Sequence, residues 1–201
     1  ASALSANTTA DCNIAIGYLA LNLNTTGGSN TAIGSCSLKD NVDGGGNTAV
    51  GRNALSNNTS ADNSVAVGKD ALDSNTEGDC NVAVGVDALQ ANSTGVKNTG
   101  IGQCALFANT TGGQNVAVGA LALDANTEGG LNVATGAHSL STNTTGSDNT
   151  ASGGYAMNLN TTGGNNVAIG RSALRKNTTA SNNTAVGNSA LCSNTTGDNN
   201  T

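Results

Sequence analysis

"NVAVGVDALQANSTGVK", residues 81–97, decides the fold, because its outline returns every 17 residues along the 201-residue chain. Glycine stands at 17, 34, 51, 68, 85, 102, 119, 136, 153, 170 and 187, a spacing of 17 with no slip. With that glycine numbered fifth in each repeat, the other positions fall into columns. The ninth column is leucine from Leu4 to Leu191, with Met157 as the one exception. The third is alanine except at Gly100, and the eighth is alanine except at Ser37 and Ser139. The twelfth is always asparagine: Asn7, Asn24, Asn41, Asn58, Asn75, Asn92, Asn109, Asn126, Asn143, Asn160, Asn177 and Asn194.

A period of 17 residues is too short for a helical-hairpin repeat, which needs about 30 or more. It suits one coil of an all-β, parallel β-solenoid. In "NVAVG" the second and fourth columns are Val, Ile or Thr and share one face, while the third-column alanine points the other way. The larger side chains of columns two and four are expected inward and the alanine outward. Glycine then turns a corner that β-branched residues resist. "AL" reads as a second short strand, and "NTTGG" as a second turn. At roughly 4.8 Å per coil, about 12 coils would make a rod near 57 Å long. The array is expected to run over residues 1–201 as one unit: a partial repeat 1–12, full coils 13–199 and a partial coil 200–201. Both ends fall in mid-repeat, and Ala1 is not an initiator Met, which is expected of a segment of a longer chain.

Composition sets limits on what such a rod does. Asn, Thr and Gly number 32, 26 and 28, whereas the aromatics are only Tyr18, Phe107 and Tyr155. A thick core of large side chains is therefore excluded. Low-complexity polar sequence usually stays unfolded, but the apolar residues here are too regularly placed for that. The net charge of −6 is spread thinly, and the one basic cluster is Arg171, Arg175 and Lys176. A nucleic-acid partner is not expected, since it needs cations gathered along a face. No run of about 18 apolar residues exists to insert into a bilayer.

Asn-x-Ser/Thr triplets, the acceptor pattern for N-linked sugar, recur at Asn7, Asn24, Asn58, Asn92, Asn109, Asn143, Asn160, Asn177 and Asn194. Off-column triplets start at Asn57, Asn182 and Asn199. In three repeats the column's triplet is broken, at Asn41-Val42-Asp43, Asn75-Thr76-Glu77 and Asn126-Thr127-Glu128, yet the asparagine stays. A column kept for sugar would drift once the triplet is lost. A ladder of side-chain amides passing hydrogen bonds from coil to coil, as in cross-β stacks, predicts what is seen. The Asn column is accordingly read as structural, with an N-glycosylated filament scaffold as the alternative.

A coil with three sizeable apolar side chains, in columns two, four and nine, is a thin base for ordering 17 residues. A homo-oligomer is expected, most simply a parallel trimer, packed through the small alanine face of column three. The segments "NTAIG" (30–34), "NTAVG" (47–51 and 183–187), "NVAVG" (81–85 and 115–119) and "NVAIG" (166–170) resemble the head repeats of YadA-type trimeric autotransporter adhesins. They resemble still more closely the "NTAVG…AL…NTTG" arrays of proteins with tail-fibre-like chaperone domains. The likeness covers nearly the whole chain. It implies a left-handed β-roll that trimerises, sits on a cell or virion surface in the extracellular space, and attaches to a host-surface or glycan receptor. The repeat is longer than the usual adhesin-head unit, and no neck, stalk, anchor or chaperone domain lies within these residues.

No catalytic, cofactor or metal site is expected. His138 is the lone histidine, and a triad of Ser139, His138 and Asp148 would be assembled from surface variation rather than from a nucleophile turn. "DGGGN" (43–47) lacks the Lys-Ser/Thr ending of a phosphate loop. The calcium-binding β-roll repeat is absent. Among the five cysteines, Cys12 and Cys80 share a column, as do Cys36 and Cys104, each pair four coils apart. That is roughly 19 Å along the rod, too far for a disulfide within either pair; Cys192 stands apart, and free thiols are expected. Ice binding is a further alternative, because columns thirteen and fourteen are threonine-rich. Adjacent "TT" residues face opposite ways, however, and give only a single file. The function expected is a non-enzymatic structural or adhesive fibre segment.

Overall fold

The structure is a computed structural model that describes residues 2–201. It is an all-β parallel solenoid of about ten turns with coils of 17 residues. Each coil gives one three-residue strand from columns two to four, beginning with β1 (Ile14–Ile16) and ending with β11 (Thr184–Val186). The eleven strands among the described residues form one sheet in sequence order, every neighbour parallel. The register never slips: Ile14 faces Thr31, Val82 faces Thr99, and Val167 faces Thr184. Identical columns therefore stack directly along the rod.

The strand faces are the reverse of the sequence expectation. The alanines of column three, such as Ala32, Ala83 and Ala117, are fully buried. The β-branched residues beside them point outward, with Ile33 38%, Ile101 40% and Ile169 44% exposed. The alanine face is thus inside and not available to another copy. The cause is the width of the coil. Leucines of column nine, from Leu21 to Leu174, are fully buried and lie across the coil from column three. A Cβ built on Gly100 would sit 3.3 Å from Leu89 Cγ and 3.2 Å from the Ala105 carbonyl oxygen. A methyl group fills that gap, and an isopropyl group would not fit it.

"AL" is not a strand either. Columns seven and nine both take left-handed backbone angles, as at Asp87 (φ 58°) and Leu89 (φ 52°). A leucine there is uncommon, yet it lets the chain bend while still laddering to the next coil. Leu89 N–H donates to the Ala105 carbonyl at 2.9 Å, and Ala91 N–H to that of Phe107 at 3.0 Å. Gly85 closes its strand at φ +137°, where an added Cβ would lie 2.5 Å from the Gly102 carbonyl oxygen. The expected glycine corner is present, and its tightness is what excludes a side chain.

Candidate interaction surfaces

The polar interior is built on two asparagine columns. In column twelve, Asn109 Nδ2 donates to Asn92 Oδ1 at 2.7 Å and to the Gly112 carbonyl at 2.9 Å, while Asn109 Oδ1 accepts from Asn126 Nδ2 at 2.8 Å. The pattern repeats with the 17-residue period, as at Asn41 onto Asn24 and Asn160 onto Asn143. Sequence reasoning missed the second ladder, in column one. There Asn115 N–H donates to Asn98 Oδ1 at 3.0 Å, and its Nδ2 to the Gly129 carbonyl at 2.8 Å. The near-constant asparagine that opens each "NTAVG" was the available signal.

Burial of these columns bears on the sugar-acceptor triplets. Asn24, Asn58, Asn92, Asn109, Asn143, Asn160 and Asn177 are fully buried, with their amide nitrogens engaged. Only Asn7, which is exposed, and Asn194, which is half-buried, depart from this at the two ends. The off-column asparagines Asn182 and Asn199 are exposed, and Asn57 is half-buried.

The outward files of columns two and four make a flat sheet face along the whole rod. Every member is Val, Ile or Thr except Ser152, and none carries a charge. Its exposed apolar residues include Ile16 at 60% and Val186 at 67%. Where column four turns polar, at Thr135 and Ser152, Thr135 Oγ1 donates to Ser152 Oγ at 3.0 Å. Column thirteen is different: its threonine hydroxyls donate along the rod, as Thr110 Oγ1 does to the Thr127 carbonyl at 3.0 Å. The file expected to order ice thus has its hydroxyl protons engaged.

The remaining candidates are ordinary parts of the repeat. Ser139 is buried and its Oγ donates to the Gly136 carbonyl at 2.9 Å. His138 instead stacks on Tyr155, with centroids 5.0 Å apart and planes 11° off parallel. Asp148 lies in column seventeen, in another turn of the coil. In "DGGGN" the Gly45 N–H donates to Asp62 Oδ1 at 2.7 Å, an internal partner rather than a phosphate. All five cysteines are free, and burial, with Asp87 and Asp124 nearby, pushes the Cys104 thiol up from its ordinary value. No group of three His, Cys, Asp or Glu side chains among the described residues is placed to hold a metal.

Charge is locally organised at two places. Asp70 takes 2.8 Å contacts from Lys69 Nζ and Asn53 Nδ2, with Arg52 at 3.5 Å. Burial alone would raise its pKa, but these partners outweigh it and hold the carboxyl below its ordinary value. Further along, Arg175 Cζ lies 5.8 Å from the centroid of the Tyr155 ring. Tyr155, Arg171, Ser172 and Arg175 line a recess of about 210 Å³.

Compared with protein-family models, with curated proteins and with solved structures, the chain matches none.

Proposed function

We propose that the chain is a non-enzymatic structural rod, a segment of an extracellular surface fibre or adhesin head. In this reading it is a left-handed β-roll of about 12 coils that assembles as a parallel trimer through the outer sheet face. The observation that carries the reading is the uncharged β-branched face of columns two and four, unpartnered in a single chain over eleven strands. Exposed sheet faces normally alternate toward polar residues, and long apolar patches mark association sites. From Asn24 to Asn177 column twelve serves the rod as a ladder and carries no sugar, since a glycan on a buried amide nitrogen would displace two hydrogen bonds per coil.

The test is the solution mass by analytical ultracentrifugation. The wild-type chain is expected at three times its 19.4 kDa, and a Val67→Lys/Val118→Lys variant at the single-chain mass. A wild-type chain that stays monomeric at all concentrations overturns the trimer. Thermal hysteresis from that monomer would then favour ice binding through the same two files, whose strand spacing is regular.

A further inference from the structure

We infer that the recess over Tyr155 is a binding site for one carboxylated sugar residue, such as a uronic acid unit of a surface polysaccharide. The inference rests on the display-rod reading for its purpose, though not for its geometry.

The site arises from a break in a ladder. Column seven in three consecutive coils is His138, Tyr155 and Ser172, each at a left-handed corner with φ of 57°, 60° and 58°. The same corner geometry projects these side chains outward one above another. The His138–Tyr155 centroid distance of 5.0 Å is close to the coil-to-coil spacing of roughly 4.8 Å, so the rings stack along the rod axis. His138 thereby pins the tyrosine ring flat and covers its lower face. Ser172 is too small to reach over the upper face; Arg175 Cζ lies over it instead, 5.8 Å from the ring centroid, and the recess of about 210 Å³ opens among Tyr155, Arg171, Ser172 and Arg175. Arg171 and Arg175 flank it from columns six and ten of the coil that carries Ser172.

Electrostatics single out this place on an acidic rod. Residues 149–197 contain Arg171, Arg175 and Lys176 and no Asp or Glu. The ion pairs among the described residues involve Lys39, Arg52 and Lys69 with Asp40 and Asp70. Neither arginine of the recess has a carboxylate partner among the described residues. Two unpaired guanidinium groups at one opening match a carboxylate through charge-assisted hydrogen bonds. The tyrosine shelf offers nothing to a bare inorganic anion, but when the Arg175 guanidinium swings from over the ring to a bound carboxylate, the face it uncovers suits the apolar C–H face of a pyranose ring, with Ser172 Oγ at hand for a ring hydroxyl. Three cations on a chain of net charge −6 do not suit a long polyanion such as nucleic acid.

The variants that test the site are residues the rod already accepts in those columns: Tyr155→Asn (as Asn53), Arg171→Ser (as Ser35) and Arg175→Ser (as Ser56). Saturation-transfer NMR on the full chain would be run with sodium glucuronate, glucose and sodium sulfate, with circular dichroism checking each fold. Glucuronate is expected to bind the wild type, glucose at least ~10-fold more weakly, and each variant to lose ~10-fold in glucuronate affinity. No glucuronate binding, or binding unchanged in Tyr155→Asn, overturns the site. Sulfate binding as tight as glucuronate and insensitive to Tyr155→Asn also overturns it, leaving only an anion patch. Sedimentation of the same samples separates the two readings: a trimer that ignores glucuronate sinks the sugar site alone, and a monomer that binds it sinks the trimer alone.

Discussion

Replacing Asn109 by alanine would measure what one rung of the column-twelve ladder contributes in the middle of the rod. The change removes three hydrogen bonds: Asn109 Nδ2 to Asn92 Oδ1 (2.7 Å) and to the Gly112 carbonyl (2.9 Å), and Asn126 Nδ2 to Asn109 Oδ1 (2.8 Å). Two of the abandoned partners are not stranded. The Gly112 carbonyl still accepts from Asn98 Nδ2, and Asn126 Nδ2 still donates to Gly129. Asn92 Oδ1, in a fully buried side chain, is left with no donor. Three net hydrogen bonds at about 1 kcal/mol each, with about 1–2 kcal/mol for the orphaned acceptor, give a loss of roughly 4–5 kcal/mol. Asn194→Ala, at a half-buried rung near the end of the rod, loses two bonds rather than three and should cost less, about 2 kcal/mol. Asn109→Asp should be worse than alanine, since an acceptor-only side chain would face Asn92 Oδ1 as a buried charge. Guanidinium unfolding followed by circular dichroism reads all three; a mid-rod lesion also uncouples its neighbours in a one-dimensional array. An Asn109→Ala midpoint within error of wild type, or no worse than that of Asn194→Ala, would refute the ladder as a source of stability.

Other expectations follow from the same geometry. Leu89→Ala should destabilise by about 2–5 kcal/mol in the same assay, because a fully buried leucine leaves a cavity that the buried leucines of the adjacent coils, Leu72 and Leu106, each held in its own coil, close only in part. Gly85→Ala should cost at least about 2 kcal/mol, since its φ of +137° and the Gly102 carbonyl oxygen 2.5 Å from an added Cβ both oppose a side chain. Burial raises the Asp124 carboxyl above 3.8, with its own backbone hydrogen bond and the His138 charge opposing, and its Oδ1 has no partner. A raised folded-state pKa makes the charged form destabilising above that pKa, with relief as pH falls through it. Asp124→Asn should therefore raise the melting temperature at pH 7 and lose that advantage below pH 3.8; equal gains at both pH values would show the cause is not charge. When the chain is secreted from a glycosylating host, peptide mapping of the folded protein should find Asn109 bare, and sugar mapped there would contradict its buried position.

The period, the glycine corner and the inward asparagine column were legible because each is a residue type repeated at fixed spacing for a backbone reason. Side-chain size is a false guide to the direction of the strand, because the smaller residue is the one inside. Columns two and four accept Thr31, Thr48, Thr99 and Ser152, and that tolerance for hydroxyls was the sign of an outward face. Column three accepts only alanine and Gly100, and that intolerance was the sign of a tight interior. The left-handed leucines were illegible for a different reason. Nothing in local propensity favours Leu55 at φ 51° or Leu89 at φ 52°, and only the burial of that side chain against columns three and eight offsets the strain. The Tyr155 recess was hidden in single residues of variable columns, which a repeat consensus averages away.

The outward columns then divide into two kinds, and the division argues for a partner. Columns six, seven and ten vary as a solvated surface should, holding Lys69, Asp87, Phe107, His138 and Arg175 in different coils. Columns two and four are equally outward but hold no Lys, Arg, Asp or Glu in any of the eleven strands. Strand propensity explains their β-branching, yet it does not explain the missing charge, because a solvated parallel sheet gains solubility and protection against pairing from lysines on its open face. The residues of the two files other than Val and Ile are Thr or Ser, and where they interrupt column four Thr135 Oγ1 donates to Ser152 Oγ. A face that is outward, uncharged and β-branched fits contact with a like face better than contact with water, and the narrow width of two files fits packing about a common axis better than a broad sandwich.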